Sequence, residues 1–512
     1  MKNINNMDKT YIINPNYILV NDNKRVYLTY RYNPLPIFNL RLPYETDTQF
    51  FSFIHPEQAK LFALFDGNRK LTTIIDEIAK RLNVSTKRAY ELILPYIENK
   101  TRLGVAFQNN RMAFPSNFLV PKKENIKFYT YEQNDFICNS DLDLISPRIN
   151  SFPLDITFMV NTICQTDCIY CYADCRKKMD CQIPIESLDR LITDCKKNNV
   201  RSFNLMGGEV LLYKNWKWLV KRLIESDYMP YISTKIPVEK EIVQTLYDIG
   251  INQIQISLDS FDDNILEKNL NIPNGSKYID KMKRTLKYFE EANITLNLHA
   301  VITKYNKDIP HLEQYLNTLS TYSHISNVEL SVVGESLYKK GYHEFKLCSQ
   351  DVKIISDYVD SVKQKKKYPF TISFSPGTRK EMFKGNKKIK KDNFEKRPVC
   401  SGNVRLAYIL PTGEVTICEG LMFNPQFILG NIIKDDLETI WKNNRLRPLY
   451  SPGLYENTPC GKCKEFMNCR TYESKRGVCW KIIIHAYGEK KWNYPDPRCS
   501  SAPTQMNPFY PQ

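Results

Sequence analysis

Asn161-Thr162-Ile163-Cys164-Gln165-Thr166-Asp167-Cys168-Ile169-Tyr170-Cys171 sets three thiols within eight residues, in the spacing C-x3-C-x2-C. Thiolates this close wrap one face of an iron-sulfur cube and leave its fourth iron without a protein ligand. A small molecule that coordinates the open iron receives an electron directly from the cluster, and S-adenosylmethionine is the candidate. A zinc loop is the alternative reading of the same spacing. The stretch Leu154 to Val160 alternates as a strand does and leads straight into the cysteines.

The chain around this loop has 512 residues, 42% hydrophobic and 25% charged. That length is too great for one hydrophobic core. The first sixteen residues are polar and no run of eighteen apolar residues occurs. The expectation is a cytoplasmic protein that neither is secreted nor spans a membrane. In that compartment fifteen cysteines are not expected as disulfides, and their clustering reads as metal or cluster ligation, with Cys138, Cys175, Cys181, Cys195 and Cys348 left unassigned. A formal charge of +16 admits nucleic acid, an anionic surface or an acidic peptide and selects none of them.

Short apolar runs alternate with amphipathic stretches over 151–341. Strands are expected at Leu154 to Val160, Ser202 to Met206, Tyr231 to Ser233, Gln253 to Leu258, Thr295 to Ile302 and Asn327 to Val333. Helices around Ile185 to Lys196, Trp216 to Glu225, Glu239 to Ile249, Lys277 to Ala292 and Ile309 to Leu319 fall between them. Repeated strand-helix units build a parallel sheet with its chemistry at the carboxyl ends of the strands. Three such ends carry suitable residues: Met206-Gly207-Gly208-Glu209, Ser233-Thr234-Lys235, and Ser257 with Asp259. Glycine pairs let backbone approach a ligand, and a carboxylate takes an ammonium group. Asp259 has a simpler reading as the cap of the following helix.

With Tyr170 in the aromatic slot before the last cysteine, the loop and these strand ends resemble the radical SAM superfamily. The resemblance implies an α/β fold, a partial (β/α)6 barrel, with S-adenosylmethionine and a [4Fe-4S] cluster on Cys164, Cys168 and Cys171. It further implies that Gly207, Gly208 and Glu209 form the GGE(P) motif, which takes the methionine amino group, with Val210 in the usual proline position. Tyr170, Ser257 and Asp259 become cofactor contacts, and Ser233 a ribose contact, although relatives carry Thr-Asn-Gly at that third strand end.

Residues 1–112 read as a separate α+β module. Tyr17 to Val20 and Arg25 to Tyr30 flank the turn Asn21-Asp22-Asn23, and three helical patterns follow at Pro56 to Phe65, Leu71 to Leu82 and from the cap Ser85. The order of elements and the Phe65 to Thr72 turn resemble the winged-helix-like, PqqD-like precursor recognition element of ribosomal peptide maturases. That resemblance implies a leader peptide bound by strand addition. DNA is the other ligand of winged helices, but Lys87 and Arg88 leave the third helix poor in basic residues, so nucleic acid is not the expected partner. Residues 113–150, broken by Pro115, Pro121 and Pro147, are expected as a linker or an irregular strap.

A helical and lysine-rich bridge, 342–399, leads to a second cysteine field over 400–512. Its order is Cys400, twelve residues, Gly413, four residues, Cys418, then Cys460-x2-Cys463-x5-Cys469, Cys479 and Cys499. This resembles the SPASM extension and implies two auxiliary iron-sulfur clusters, with a zinc ribbon as the alternative. By the resemblance Cys460, Cys463, Cys469 and Cys499 hold one cluster, and Cys400, Cys418 and Cys479 belong to the other. Relatives place a further cysteine where Glu473 stands here.

Together these resemblances imply a radical SAM/SPASM oxidoreductase that modifies a ribosomally made precursor peptide through a 5′-deoxyadenosyl radical. Its expected partners are the precursor peptide and an external electron donor such as flavodoxin or ferredoxin. Thioether or other crosslinks and epimerisation all remain open as products. The rivals are a sulfatase-maturing type of enzyme and a catalytically silent peptide-binding or electron-transfer protein.

Overall fold

The computed structural model describes residues 7–31, 50–107, 110–138, 141–175, 177–377, 387–397, 400–470 and 477–506. These divide into two units, one of residues 1–155 with 193–202 and the other of 156–192 with 203–512.

In the first unit β1 (Thr10–Ile13) precedes the hairpin of β2 (Tyr17–Asn21) and β3 (Val26–Tyr30), paired antiparallel from Tyr17↔Tyr30 to Asn21↔Val26. Asn23 in its turn takes a left-handed φ of 58°. Its short amide side chain tolerates that conformation. β4 (Phe51–Ile54) joins on the far side of β3. After it come α1 (Pro56–Phe62), β5 (Asp66–Lys70), α2 (Leu71–Leu82), α3 (Thr86–Ile93), a hairpin of β6 (Leu103–Phe107) with β7 (Asn110–Phe114), and β8 (Leu119–Pro121). The helical period of α2 buries Leu71, Ile74, Ile75 and Ile78. The Ser85 hydroxyl accepts the Arg88 N–H at 3.2 Å to start α3, the usual work of a serine at that position. The expected turn after Phe65 is instead the strand β5, which pairs with β1, and β1 also pairs with β8.

Residues 113–150 are not a free linker. Phe114, Phe118, Tyr131, Phe136 and Leu144 lie in the same buried core as Phe62 and Tyr96. Arg25, fully buried, bonds the Asp22 carboxylate at 2.9 Å and the carbonyls of Asp143, Ser146 and Arg148. The other Asp22 oxygen accepts the N–H groups of Asn150 and Ser151. The hairpin turn therefore pins the strap as well as joining two strands.

The second unit is built of strand-helix repeats. In order they are β9 (Asp155–Met159), α4 (Ile185–Lys197), β10 (Ser202–Met206), α5 (Trp216–Glu225), β11 (Ser233–Thr234), α6 (Lys240–Ile249), β12 (Gln253–Ser257), α7 (Asp263–Leu270), α8 (Gly275–Glu291), β13 (Thr295–Ile302), α9 (Ile309–Leu319) and β14 (Ile325–Val332). β11 to β14 run parallel in sequence order. The sheet continues past Gly341: after α10 (Tyr342–Phe345) and α11 (Ser349–Lys365), β15 (Thr371–Ser375) pairs parallel with β14. A stretch expected as bridge thus supplies one more strand-helix repeat. Of the lysine-rich remainder, 379–386 lies outside the described residues and α12 (Lys387–Glu395) lies within them.

The cysteine field contributes β16 (Leu406–Ile409), β17 (Glu414–Thr416), β18 (Ile428–Asn431) and three short helices, α13 (Leu437–Asn443), α14 (Phe466–Arg470) and α15 (Trp480–Tyr487). β16 lies beside β9 in a sheet of order β10-β9-β16-β17-β18, so the carboxyl-terminal hairpin extends the sheet that carries the first cysteine loop. Gly413 makes the β16–β17 turn at φ 82°, where a Cβ would sit 2.7 Å from the Asn431 amide oxygen. Glycine alone meets both conditions.

Candidate active site

The cysteine loop leaves the end of β9, and neighbouring segments tie it down. Asp167 and Ile169 donate their N–H groups to the carbonyls of Leu270 and Asn269, at 3.0 Å each, at the end of α7. The Gly207–Glu209 turn, leaving β10, lies against its other side. A Cβ on Gly208 would come within 2.3 Å of the Ile163 carbonyl oxygen. Only glycine fits there. Asn161 closes the seam: its amide oxygen accepts the N–H groups of Ile163 and Glu209, and its amide nitrogen donates to the Glu209 carbonyl at 2.8 Å.

Glu209 is buried. Its carboxylate accepts the N–H groups of Lys235 at 3.1 Å and Leu211 at 3.3 Å, with further bonds from Thr234 and Ile236. Burial pushes its pKa up to about 7 against the opposing pull of these donors. Asp259 does not cap α7; Asp262 does. Asp259 instead accepts the Tyr170 hydroxyl, the Lys235 ammonium at 3.2 Å and the Val301 N–H at 3.1 Å. Ser233 and Ser257 face each other at 3.4 Å, bridged by the Gln255 amide. Along the parallel strands Ser257 pairs with His299 and His299 with Glu329. This polar row continues across the sheet to Ser373.

Every cysteine is a free thiol. Cys175, unassigned by its sequence position, lies within thiol hydrogen-bonding reach of Cys164 and Cys171, while the charge of the Lys235 ammonium acts on Cys168. Burial raises the Cys168 pKa, and the contact with Cys175 followed by burial raises that of Cys171. A bound cation would favour the thiolate forms of Cys168 and Cys171 against that rise. A set of free thiols on one buttressed loop with an ammonium beside it suits a negatively charged cluster.

The second cysteine field separates into two cavities. Cys400, Cys418 and Cys479 line one, Cys460, Cys463 and Cys499 line the other, and Cys469 reaches both. Arg470, almost wholly buried, borders both cavities, and its Nε and Nη1 atoms have no hydrogen-bond partner from the protein. A buried guanidinium with idle donors between two thiol sets fits anionic clusters in both places. Glu473 lies outside the described residues. Cys348 lines neither cavity; its thiol accepts the Asp351 N–H and caps α11. Among the described residues no three His, Cys, Asp or Glu side chains close on a single-ion point.

The sequence signalled the cysteines and the glycine turn through their spacing. It carried no such signal for Asn161, Lys235 or Arg470, whose roles arise from contacts between separate segments, nor for Cys175, which the loop itself folds back towards Cys164 and Cys171.

Comparison with known proteins agrees with this arrangement. Residues 159–316 match the Radical SAM superfamily model, and residues 400–465 match an iron-sulfur cluster-binding domain, SPASM. A GTP 3′,8-cyclase of Rhizobium leguminosarum is 27% identical over 198 residues, 36% of this chain and 54% of the relative. The sporulation killing factor maturation protein SkfB of Bacillus subtilis is 26% identical over 168 residues, 32% of this chain and 40% of the relative. The chain spans about half the length of the curated relatives it matches first. Among solved structures, Streptococcus suis SuiB bound to S-adenosylmethionine superposes with a TM-score of 0.61 at 16% identity, covering 95% of this chain and 99% of that one. SuiB bound to the precursor peptide SuiA gives the same TM-score at 17% identity. The chain thus carries a radical SAM domain, whose cofactors are S-adenosylmethionine and a [4Fe-4S] cluster, and an auxiliary iron-sulfur domain.

Proposed function

We propose that this protein is a peptide maturase: it binds a ribosomally made precursor through its amino-terminal unit and modifies the precursor's core at the strand ends of the second unit. The observation that carries the reading is the meeting of the Cys164–Cys171 loop and the Gly207–Glu209 turn, which leave β9 and β10, with the Lys235–Asp259 pair that follows β11 and β12. We read the second unit as a partial (β/α)6 barrel and the first as a winged-helix-like, PqqD-like recognition element.

Cys164, Cys168 and Cys171 would hold the cluster, Gly207, Gly208 and Glu209 the methionine end of S-adenosylmethionine, and Tyr170, Ser233, Ser257 and Asp259 its remainder. Bound there, cluster and cofactor supply a 5′-deoxyadenosyl radical that removes a hydrogen atom from the peptide. The protein positions these groups and keeps water out. Asn161 and Gly208 fix the turn against the cysteine loop, and the ionised Glu209 takes the ammonium group. The polar row Ser257, His299 and Glu329 offers hydrogen bonds along the sheet. Cys400, Cys418 and Cys479, with Cys460, Cys463, Cys469 and Cys499, would hold two auxiliary clusters.

A leader peptide would add as a strand to the first unit. There β4 lies at a sheet edge and presents Phe51, 58% exposed. Arg88 on α3 is paired with Glu91, which leaves little for a phosphate backbone. Free thiols that take clusters call for a reducing compartment, so we place the protein in the cytoplasm with a flavodoxin or ferredoxin as donor. Among the described residues no helix is long and apolar enough to cross a membrane. The test is anaerobic incubation of reconstituted enzyme with S-adenosylmethionine, reductant and precursor peptides from neighbouring small reading frames. A cofactor-dependent mass change in the core, inhibited by leader peptide alone, is the expected result. Cleavage of the cofactor with every such peptide left unchanged would reject the reading.

A further inference from the structure

Lys235 occupies the third strand end and is assigned no ligand in the reading above, yet it touches both halves of the site. Its N–H holds Glu209 and its carbonyl accepts the Tyr278 hydroxyl at 2.6 Å, which fixes its backbone. Its ammonium donates to the Tyr170 hydroxyl at 2.9 Å and to Asp259 at 3.2 Å, while Tyr170 donates to the other Asp259 oxygen. The Asp259 side chain is fully buried and that of Lys235 is 18% exposed. Water therefore does little to screen either charge. Tyr170 lies between Cys168 and Cys171 in the chain, so the bond to its hydroxyl sets the ammonium against the cysteine loop, and of the two charges it is Lys235 that first opposes the burial-driven rise of the Cys168 pKa. The positive end of a rigid dipole faces the loop.

We propose that Lys235 is an electrostatic positioning residue for the cluster on Cys164, Cys168 and Cys171, raising its reduction potential by favouring the form that carries one more electron. Reduction by a low-potential one-electron donor adds negative charge to a group already negative, and a buried cation held at fixed distance stabilises that added charge more than the oxidised state. Tyr170 and Asp259 keep the ammonium in place, while the Asp259 charge opposes its effect. The proposal rests on the assignment of these three thiolates to the cluster.

Redox titration of reconstituted full-length protein without S-adenosylmethionine, followed by the electron paramagnetic resonance signal of the reduced cluster, tests it. Lys235→Met should move the midpoint of this cluster to more negative potential and Lys235→Arg should restore it. Asp259→Asn should move it the other way, and the auxiliary midpoints should stay fixed in all three. Packing damage alone would not produce opposite shifts. Unchanged midpoints, or shifts of the same sign in Lys235→Met and Asp259→Asn, would overturn the proposal. If Lys235→Met loses the cluster, Asp259→Asn decides, since a midpoint unchanged or more negative there is equally fatal. Persistence of the signal in a Cys164, Cys168 and Cys171 triple alanine variant would reject the thiolate assignment, and the proposal with it.

Discussion

Asn161 and Glu209 hold each other by backbone and side chain together: the Asn161 amide donates to the Glu209 carbonyl at 2.8 Å and accepts the Glu209 N–H at 3.2 Å. The residue three positions before the first cysteine therefore sets the height of the glycine turn. Asn161 is fully buried. Asn161→Ala thus leaves several backbone groups without partners, at about 1–3 kcal/mol each. We expect iron at the first cluster to persist and affinity for S-adenosylmethionine to fall by roughly tenfold or more, measured by calorimetry on anaerobic protein. Unchanged affinity would remove Asn161 from the site's framework.

Gly208→Ala is a harsher change. The new methyl would stand 2.3 Å from the Ile163 carbonyl oxygen, a backbone atom next to Cys164 that cannot swing aside as a side chain could. The cysteine loop must shift, so this variant should lose the iron of the first cluster while keeping that of the auxiliary field. Iron and sulfide analysis against the Cys164, Cys168 and Cys171 triple alanine variant separates the two pools.

Glu209 makes cofactor binding depend on pH. Its pKa is raised to about 7, so the proton and the cofactor's ammonium group compete for the same carboxylate near neutrality. The charged form that binds grows as pH rises, and affinity for S-adenosylmethionine should strengthen by roughly tenfold between about pH 6 and 8 and then level off. Glu209→Gln should bind weakly with a flat profile. A wild-type profile just as flat would show that Glu209 does not take the ammonium group.

How much of this was legible in the sequence depended on the range of the interaction. Local patterns read well: the ladder of β13 and the faces of α2 and α9 follow from apolar spacing, and the cysteine and glycine motifs from position alone. Long-range packing did not. The prolines of 113–150 suggested a linker because they break both periodicities, but irregular backbone can still be buried when a charge such as Arg25 collects its carbonyls. β15 lay beyond the expected end of the barrel although Thr371 to Ser375 alternates polar and apolar residues, because a five-residue alternation does not say which strand it pairs with, and only the fold sets it at the edge beside β14. Lys235 could be named as a departure from Thr-Asn-Gly, but its pairing with Tyr170 and Asp259 exists only once the strand ends are brought together.

The strap makes a stability prediction. Arg25 and Asp22 are fully buried and serve each other and five backbone groups of 143–151. Arg25→Met would leave the Asp22 charge buried without its partner, a loss of about 3–5 kcal/mol. A lowered melting temperature of the apo-protein, with release of 113–150 to limited proteolysis, is the expected outcome. Retained protection of that segment would show that apolar packing around Phe118 and Phe136 suffices.

The last prediction concerns how the cluster proposed for Cys400, Cys418 and Cys479 is completed. Cys348 is the next thiol upstream, but its sulfur is occupied in capping α11 and borders neither cavity, so Cys348→Ala should keep its full iron. With three cubanes that is about twelve irons per chain. The thiol that does reach the cavity is Cys469, which also borders the second set, and beside it the Arg470 Nε and Nη1 atoms have no hydrogen-bond partner from the protein. One thiol cannot serve both clusters in the ordinary way. If Cys469 stays with Cys460, Cys463 and Cys499, the first auxiliary cluster keeps an iron open to a thiol of the precursor, and adding a cysteine-bearing peptide should change its spectrum while a serine version does not. Arg470→Met, which removes the donors between both cavities, should weaken iron retention in the two auxiliary sites and spare the first cluster. Loss of about four irons in Cys348→Ala would instead make that thiol a ligand, and a spectrum indifferent to the cysteine peptide would show the cluster closed.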